Sequence, residues 1–367
     1  RGRDGARHLM TLRVALAAGG TGGHIEPALN LADELRRRDP GTDIVVIGTA
    51  KGLETRLVPA RGYELALIDP VPMPRRPGRD LVTLPGRLRR SVRQARDVMQ
   101  THGSQVVVGF GGYVSIPAYL GARRRVPSVV HEANAKPGLA NRVGARLTPW
   151  VAENYAGTLP HAQRLGCPLR HTIETLDRAA RRSEAREFFG LDAEGPVLLV
   201  FGGSQGAASL NAALAGARDG LLAAGIQILH AVGPRQVAEV TAAPGYRPLP
   251  FIDRMDLAYA AADLAVCRAG AMTCAEVAAI GLPCLYVPYA VGNGEQRFNA
   301  EPVVAAGGGI MVPDADLTPQ RLLDEVVPLL ADPQRLTVMG ERAAEYGIAD
   351  GAARLANMVS RAAEEGR

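Results

Sequence analysis

The sequence predicts an α/β protein with two similar Rossmann-like domains, each built around a parallel β-sheet. Short apolar runs alternate with amphipathic stretches along the chain, which is typical of repeated β-α units. In both halves an apolar run leads into a glycine-rich loop and then into a helical pattern. The chain of 367 residues is also longer than one hydrophobic core usually supports. Together these observations favour two domains of ordinary size.

The first half of the chain contains four predicted strands separated by helices. The first strand ends in the loop 19–24, and a helix is predicted from Pro27 to about Arg38 because proline suits the first turn of a helix. A second helix is predicted at 52–61. The strands are predicted at 12–18, 43–48, 106–109 and 128–131. The loops that follow such strands are where ligands bind in open parallel sheets.

The second half repeats this plan after Pro168. Its first strand leads into another glycine-rich loop, and a helix is predicted from about Leu210. The strands are predicted at 197–201, 226–232, 264–267 and 284–287. We therefore predict a first domain at 1–168 and a second domain at 169–348. A last helix, within 349–367, is expected to pack back on the first domain.

The composition is that of a globular protein with an aliphatic core. Hydrophobic residues make up 47% of the chain and charged residues 22%, which excludes a disordered chain. No apolar run approaches the roughly 18 residues that a membrane-spanning helix needs. The cysteines lack C-x-x-C spacing, so we expect buried free thiols in a reducing compartment rather than disulfides or a zinc site. They are Cys167, Cys267, Cys274 and Cys284.

Two glycine-rich loops between a strand and a helix, at 19–24 and 202–206, are the strongest physical signal of function. Glycine lets the backbone approach a ligand closely, and amides at the start of a helix attract phosphate oxygens. One such loop could be only a tight turn, but two at equivalent positions favour a phosphate ligand. Neither loop matches G-x-G-x-x-G or G-x-x-x-x-G-K-S/T, which disfavours dinucleotide oxidoreduction and ATP hydrolysis. A diphosphate held by backbone amides is therefore predicted.

Motifs in five loops resemble those of the MurG family of UDP-N-acetylglucosamine transferases, which belongs to glycosyltransferase family 28. In chain order, together with Glu276 and the segment 296–299, they are Gly-Gly-Thr-Gly-Gly-His at 19–24, Gly-Gly-Tyr-Val-Ser at 111–115, His-Glu-Ala-Asn at 131–134, Gly-Gly-Ser-Gln-Gly-Ala at 202–207 and Arg-Ala-Gly-Ala-Met-Thr at 268–273. The resemblance extends over about 12–340. It implies the GT-B fold, in which two Rossmann-like domains face each other across a cleft.

The resemblance also implies a reaction of peptidoglycan synthesis. N-acetylglucosamine would pass from UDP-N-acetylglucosamine to the 4-hydroxyl of N-acetylmuramic acid in undecaprenyl-diphosphate-N-acetylmuramyl-pentapeptide, with inversion, so that lipid I becomes lipid II. Two alternatives stay open: a related GT-B transferase that acts on an antibiotic-like acceptor, and a non-catalytic regulator that binds a nucleotide sugar.

The resemblance assigns the UDP-N-acetylglucosamine donor mainly to the second domain. The amides around Gly206 would face the diphosphate, the backbone of Ile252 the uracil, and the carboxylate of Glu276 both ribose hydroxyls. The complete set of implied donor-binding residues is Thr21, Gly22, Gly23, Asn134, Arg170, Ser204, Gln205, Gly206, Ile252, Ala271, Met272, Thr273, Glu276 and Gln296.

The acceptor, a muramyl peptide linked to a polyprenyl diphosphate, is assigned to the first domain. A base must take the proton of its hydroxyl, and His24 and Glu132 are the candidates. We favour His24, because the positive end of the helix dipole disfavours a charged imidazole and leaves the ring able to accept a proton. Glu132 could instead orient the site. The implied acceptor-binding residues are Gly19, Gly20, Gly111, Gly112 and Tyr113.

No cofactor and no metal ion are expected. Fixed amides and a helix N-terminus suit the negative charge that grows on the leaving diphosphate. No D-x-D pair stands near the predicted donor loops. His131 follows an apolar run and is expected to be a structural histidine. Glu26 stands where many relatives carry an apolar residue, and its charge would repel the acceptor diphosphate unless the side chain points away.

The segment 75–96 holds eight arginines against one acid. Such a run is often only a solvated helix face. The functional interpretation is attachment to an anionic membrane surface, to which each basic residue contributes about 1 kcal/mol. Nucleic acid is disfavoured because no aromatic residues accompany the arginines. We therefore predict a peripheral protein on the cytoplasmic side of the cell membrane, with 123–125 extending the patch. The arginines are Arg75, Arg76, Arg79, Arg87, Arg89, Arg90, Arg93 and Arg96.

Overall fold

The computed structural model describes residues 11–71, 79–290 and 294–366, with the backbone alone at 79–82. These residues divide into two compact units. The first unit contains the described residues up to Ala133, then Pro137–Pro168, and the residues from Gly351 onward. The second unit contains Asn134–Lys136 and Leu169–Asp350.

The strands are short and mostly buried on both faces, as is usual in parallel sheets covered by helices. Their apolar runs are rich in valine, isoleucine and leucine, which suit a pleated buried surface. The strands of the described residues are β1 Arg13–Ala17, β2 Asp43–Gly48, β3 Glu64–Leu67, β4 Val106–Gly109, β5 Ser128–Glu132, β6 Trp150–Glu153, β7 Gln163–Arg164, β8 Val197–Phe201, β9 Gln227–Ala231, β10 Tyr246–Leu249, β11 Leu264–Cys267, β12 Cys284–Tyr286 and β13 Gly309–Met311.

Helices connect the strands and cover the sheets. Two 3₁₀ turns, Val237–Glu239 and Asp314–Asp316, accompany them in the second unit. The helices of the described residues are α1 Gly22–Arg38, α2 Glu54–Ala60, α3 Arg79–His102, α4 Ser115–Ala122, α5 Leu139–Gly144, α6 His171–Glu174, α7 Arg182–Phe189, α8 Ala208–Ala223, α9 Met255–Ala261, α10 Ala271–Ala279, α11 Glu295–Ala305, α12 Pro319–Leu330, α13 Pro333–Tyr346 and α14 Gly351–Glu365.

The first unit contains a seven-stranded parallel sheet in the order β3-β2-β1-β4-β5-β6-β7. The strand order reverses between β1 and β4, where Ala17 pairs with Gly109 at the carboxyl ends. In open α/β sheets this reversal leaves a crevice between the two following loops, and ligands bind there. Both loops carry glycine motifs of the sequence, so the fold brings the two predicted acceptor motifs together.

The second unit repeats this arrangement with six parallel strands in the order β10-β9-β8-β11-β12-β13. The order reverses between β8 and β11, where Phe201 pairs with Cys267. The glycine loop after β8 and the loop before α10 therefore meet at the carboxyl edge of this sheet. The prediction of two α/β domains with parallel sheets is confirmed.

The last helix, α14, belongs to the first unit. Its apolar side chains, including Leu355 and Val359, are buried in the same core cluster as Leu29 of α1 and Val108 of β4. The chain thus returns to its first sheet after completing the second one.

The start of the first helix was predicted incorrectly. α1 begins at Gly22, so Pro27 lies inside the helix and not in its first turn. The carbonyl of Thr21 accepts hydrogen bonds from the amides of His24 and Ile25, so the first helical turn forms before Pro27. A proline at position 27 then removes only one helical hydrogen bond, the one to the carbonyl of Gly23. Five short strands, β3, β6, β7, β10 and β13, were not predicted because they have two to four residues and little apolar pattern.

All four cysteines are buried free thiols, which confirms their predicted role as small apolar residues. Among the described residues, no helix has the length and apolar character required to cross a bilayer.

Candidate active site

The first glycine loop joins β1 to α1. Thr21 has an extended backbone and precedes the first turn of the helix, so the amides of Gly22 and Gly23 belong to the turn that has no intrahelical partners. Gly20 has a φ of +92°, which only glycine adopts without strain. Its amide donates to the carboxylate of Glu54 at 3.1 Å. The loop therefore combines an outward helix N-terminus with a backbone amide that is fixed from within.

The second glycine loop of this unit follows β4 and is fitted closely against the first. Gly111 and Gly112 have φ values of +99° and +79°. A Cβ on Gly112 would lie 2.5 Å from the carbonyl oxygen of Gly19, so only glycine permits this contact. The hydroxyl of Ser115 bonds to the backbone of Gly111 and stabilises the turn. Tyr113, at the tip of this loop, is 51% exposed.

His24 lies half-buried in the first turn of α1. Its Nδ1 is 3.2 Å from the hydroxyl oxygen of Thr21. A Cβ on Gly111 would lie 3.0 Å from His24 Nε2, so the ring borders the second glycine loop. In the tautomer whose Nδ1–H donates to Thr21, Nε2 is a proton acceptor. The structure thus brings His24 together with both glycine loops of the first unit.

Glu132, the other candidate base, is buried at the end of β5. Its Oε2 accepts from the amide of Gly138 and from the side chain of Asn141, each at 3.0 Å. Asn141 also donates to the carbonyl of His131 at 2.9 Å. These contacts favour the orienting role over direct proton transfer. His131 itself is buried and bonds to the carbonyl of Gly166, and burial lowers its pKa to about 4, as suits a structural histidine.

The carboxylate of Glu26 is paired with a basic side chain. Its Oε2 forms an ion pair with Arg61 at 3.1 Å. Arg61 also pairs with Asp33 at 2.6 Å, and Tyr63 donates to Asp33. The carboxylate of Glu26 is therefore neutralised by a neighbouring guanidinium.

Asn134 groups with the second unit. Its Oδ1 accepts a hydrogen bond from Asn299 Nδ2 at 3.3 Å, and Asn299 Oδ1 accepts from the amide of Ala135 at 2.8 Å. Asn299 is buried in α11 and was not predicted as a site residue. It ends the segment 296–299 of the family resemblance, and this was the signal available in the sequence.

The glycine loop of the second unit joins β8 to α8. The amide of Gly206 donates to the carbonyl of Gly203 at 2.9 Å, which closes a tight turn with Ser204 and Gln205 exposed at its tip. Gly206 has a φ of +80°, and a Cβ there would overlap the carbonyl oxygen of Val232. The turn therefore presents backbone and hydroxyl groups at the start of α8, where an anion is favoured.

A neutral polar network lies behind this loop. Asn211 donates to the carbonyl of Val232 at 2.8 Å, and its Oδ1 is 3.0 Å from His230 Nε2. Nδ1 of His230 is 2.9 Å from the hydroxyl of Tyr246. Burial lowers the pKa of His230 to about 4, which keeps the ring neutral at physiological pH. The network holds the segment against which Gly206 packs.

Helix α10 supplies the next group of predicted donor residues. Gly270 caps the helix, and Ala271, Met272 and Thr273 form its first turn. Glu276 lies one turn further on and accepts a hydrogen bond from Tyr259 at 2.8 Å. Burial, together with the negative charge of Glu276, raises the pKa of Tyr259 well above its usual value, so its hydroxyl stays a donor. Sequence reasoning missed Tyr259, since α9 is not adjacent to any motif.

A partly buried ion pair connects the loops at the carboxyl edge of the second sheet. Arg268, just after β11, donates to Asp314 and to the hydroxyl of Ser209, each at 2.7 Å. Ser209 in turn donates to Asp314 at 2.6 Å. Because Ser209 lies in the first turn of α8, this network fixes the glycine loop relative to α10.

The remaining predicted residues lie around the same edge. Gln296 lies in the first turn of α11, and its Oε1 accepts from the amide of Tyr289 at 2.9 Å. Ile252 is buried in the loop that follows β10. Arg170 precedes α6 and is half-buried. Within the part of the chain that the structure describes, no group of three or more His, Cys, Asp or Glu side chains could hold a metal ion.

Two α/β units, each with a parallel sheet and with glycine loops where the strand order reverses, have the architecture of the GT-B fold, and comparison with known proteins identifies the family. The family model described as "Glycosyltransferase family 28 N-terminal domain" matches residues 14–152, and "Glycosyltransferase family 28 C-terminal domain" matches residues 197–355. The chain belongs to glycosyltransferase family 28, and the resemblance to the MurG family is confirmed.

Individual relatives agree with this family. A protein of Acidothermus cellulolyticus named UDP-N-acetylglucosamine--N-acetylmuramyl-(pentapeptide) pyrophosphoryl-undecaprenol N-acetylglucosamine transferase is 57% identical over 362 residues, which are 96% of this chain and 98% of that protein. The crystal structure of Acinetobacter baumannii MurG has a TM-score of 0.74 at 27% identity and covers 95% of this chain and 99% of its own. The calicheamicin glycosyltransferase CalG4, at 20% identity and a TM-score of 0.67, covers 97% of this chain and 99% of its own and shares the fold.

Proposed function

We propose that this chain transfers N-acetylglucosamine from UDP-N-acetylglucosamine to the 4-hydroxyl of N-acetylmuramic acid in undecaprenyl-diphosphate-N-acetylmuramyl-pentapeptide, converting lipid I to lipid II. The observation that carries this proposal is the relative named for this reaction, which is 57% identical over 96% of the chain. The antibiotic-like acceptor has weaker support, because the calicheamicin enzyme is only 20% identical.

The donor site belongs mainly to the second domain in this proposal. The turn Gly203–Gly206 and the start of α8 accept the UDP diphosphate, since backbone amides and the helix dipole attract its oxygens. Glu276, held by Tyr259, accepts the ribose hydroxyls. The first turn of α10 and Gln296 bind the sugar, Ile252 faces the uracil through its backbone, and Arg170 lies near the diphosphate.

The chemistry follows from charge development in the transition state. The acceptor hydroxyl forms a bond to the anomeric carbon from the face opposite the diphosphate, the bond to the diphosphate oxygen breaks, and UDP leaves. Inversion therefore gives a β-linked sugar. Negative charge grows on the leaving oxygen, and preorganised amides stabilise that charge in place of bulk water.

His24 takes the proton of the attacking hydroxyl. It lies at the start of α1 beside both glycine loops of the first domain, which are assigned to the acceptor diphosphate. The Nδ1–H donated to Thr21 leaves Nε2 as the accepting atom. Glu132 is assigned the orientation of the start of α5, because its carboxylate already accepts from the amide of Gly138 and from the side chain of Asn141.

A transfer assay tests this proposal. Purified protein is incubated with labelled UDP-N-acetylglucosamine and a short-chain lipid I analogue, and we expect one β-linked disaccharide product for each UDP released. A protein that binds UDP but forms no disaccharide would instead be the nucleotide-sugar-binding regulator. In the same assay His24→Gln should lower kcat about 100-fold or more while donor KM is kept. His161→Gln is the matched control, because that ring contacts only the carbonyl of Thr148 in the described contacts. Near-full turnover of His24→Gln would remove it as the base.

The arginine-rich segment supports attachment to the cytoplasmic face of the cell membrane. Arg75 and Arg76 lie outside the described residues, as does the side chain of Arg79. On α3, Arg89, Arg90 and Arg93 are exposed, and Arg87 and Arg96 are half-buried. The exposed residues 123–125 follow α4, which packs on α3 with Gly121 close to the backbone of Arg96. The two basic stretches therefore belong to two helices that pack against each other.

Sedimentation with lipid vesicles tests this attachment. We expect binding to phosphatidylglycerol vesicles and not to phosphatidylcholine vesicles, and the binding should weaken at high salt. The triple variant Arg89→Gln, Arg90→Gln, Arg93→Gln should lose most of it. A control with the same charge change, Arg218→Gln, Arg297→Gln, Arg321→Gln in the second domain, should keep it. Equal loss in both variants would leave only a general effect of net charge.

A further inference from the structure

A buried carboxylate lies beneath the first glycine loop and belongs to none of the sequence motifs. Glu54 is the first residue of α2, and its side chain is 0% exposed. Its Oε1 accepts from the amide and the hydroxyl of Thr49, each at 2.8 Å. Its Oε2 accepts from the amide of Gly20 at 3.1 Å. Three donors from two different loops therefore converge on one carboxylate.

The space around this carboxylate is formed by glycines. A Cβ on Gly19 would lie 2.9 Å from Glu54 Oε1, and a Cβ on Gly48 would lie 2.7 Å from Glu54 Cγ. A Cβ on Gly52 would overlap the carboxylate itself. Any larger residue at these positions would push the carboxylate out of its place.

The carboxylate remains charged despite its burial. Burial raises the pKa of Glu54, but hydrogen bonds from its own amide, from Thr49 and from Gly20 outweigh burial and hold the pKa below the usual value. A buried charge of this kind is stable only while its donors stay in place, so it fixes the geometry of those donors in return.

The fixed loop sets the position of its neighbours. The amide of Gly20 points inward to Glu54, and the carbonyl of Gly19 touches the second glycine loop at Gly112. The same loop continues through Thr21 into the turn that carries His24. A displacement at Gly20 would therefore move both glycine loops and the proposed base.

We propose that Glu54 is a positioning residue for the acceptor: by binding the Gly20 amide from below, it sets the loop that holds the acceptor diphosphate and aligns His24. This inference rests on the assignment of that loop to the acceptor. Glu54 touches no substrate in this role and acts through the backbone.

Glu54→Gln tests the role with little change of shape. The amide nitrogen of glutamine would face the Gly20 N–H, so two donors would meet where a donor and an acceptor meet now. We expect kcat/KM for the lipid I analogue to fall about 30- to 100-fold, because misplacement by about 1 Å near reacting groups has effects of this size. UDP affinity, measured by calorimetry, should stay unchanged, because the residues assigned to the uracil, the ribose and the diphosphate lie in the second domain.

Three further variants make the result specific. Thr49→Val removes one donor to Glu54 and should lower acceptor kcat/KM about 5-fold in the same direction, whereas Thr49→Ser should restore it. Glu64→Gln makes the same charge change on an exposed position of β3 and should leave all constants as in the wild type. Circular dichroism and thermal melting show which variants are folded at the assay temperature.

Several outcomes would overturn the inference. A folded Glu54→Gln with wild-type acceptor kcat/KM would do so, and so would a fall in UDP affinity as large as the fall in acceptor kcat/KM. If Glu54→Gln does not fold, wild-type acceptor kinetics in Thr49→Val overturn it. Failure of the wild-type protein itself to use the acceptor would instead count against the proposed function.

Discussion

The two strand-to-helix glycine loops follow the same plan but are held in place by different means. In the first unit, the loop after β1 is fixed by a buried charge, because Gly20 donates to the carboxylate of Glu54. In the second unit, the loop after β8 closes on itself between Gly203 and Gly206 and packs on the segment at Val232. The polar side chains behind that turn are neutral, and the ion pair of Arg268 with Asp314 acts one step away, on the first turn of α8 through Ser209.

This difference shows that a shared backbone plan does not fix how a loop is supported. A charged support makes the geometry sensitive to one carboxylate and its donors. The loop of the second unit depends mainly on the close packing of Gly206 on Val232, with the ion pair acting only through Ser209, so steric changes should matter more there. The following predictions test whether the two loops respond in these separate ways.

The largest effect is expected for Gly206→Ala in the second unit. The new Cβ meets the carbonyl oxygen of Val232, and the residue has a φ of +80°, so packing and backbone conformation both oppose the change. We expect UDP affinity, measured by calorimetry, to fall more than about 100-fold. Gly225→Ala is the control, since it has a φ of +75° with nothing within 4 Å of the new Cβ. If both variants lost the same UDP affinity relative to the wild type, backbone conformation, and not packing, would be the cause of the loss.

A comparable steric change in the first unit is Gly112→Ala, in the loop after β4 that lies against the loop after β1. The new Cβ would lie 2.5 Å from the carbonyl oxygen of Gly19, which pushes the two acceptor loops apart. Acceptor kcat/KM should fall about 50- to 100-fold, while UDP affinity should not change. Gly157→Ala, with a φ of +79° and open space around the Cβ, should behave as the wild type in both measurements. A loss of UDP affinity in Gly112→Ala would contradict the separate roles of the loops.

Acid should reduce stability through the two buried histidines, one in each unit. Burial lowers the pKa of His131 and of His230 to about 4 each, below the value of roughly 6.5 in an unfolded chain. The unfolded state then binds more protons between these values, so each contribution is complete above about pH 6.5 and is lost as the pH falls toward 4. The loss of each histidine's contribution should lower the free energy of unfolding by about 2 kcal/mol between pH 7 and pH 5. Urea unfolding at several pH values measures this loss.

His230→Asn separates the two contributions. The slope of the unfolding free energy against pH reports the number of protons taken up on unfolding. In that variant this number should decrease by one in the acid range, and the contribution of His131 should remain. An unchanged slope would show that His230 is already protonated or exposed before unfolding.

The smallest effect is expected for Tyr259→Phe. This change removes a hydrogen bond of 2.8 Å to Glu276, and bonds to charged groups contribute about 1.5 kcal/mol or more. Donor KM should rise about 5- to 10-fold, with a smaller change in kcat and in acceptor KM. Tyr63→Phe, which removes a bond of 2.7 Å to Asp33 in the first unit, should leave donor KM unchanged. Similar donor KM values for both variants would argue against a positioning role for Tyr259.

Strongly apolar strands could be predicted residue by residue. The bounds of β2, β4, β8 and β11 agree with the prediction, because each is a continuous apolar run between polar or glycine residues. The short edge strands had no such pattern. Helix α1 was predicted to start late because Pro27 suits the first turn of a helix, whereas the helix begins at Gly22, directly after Thr21.

The sequence by itself determined the class of fold, the family and the loops that carry the motifs, because these depend on local apolar runs and on residue types at fixed spacing. Only the tertiary structure showed which side chains support those loops. Glu54 is 34 residues from Gly20 and meets it because the sheet places the end of β2 beside the end of β1. Tyr259 reaches Glu276 for the same kind of reason, since the order of parallel strands decides which distant loops become neighbours.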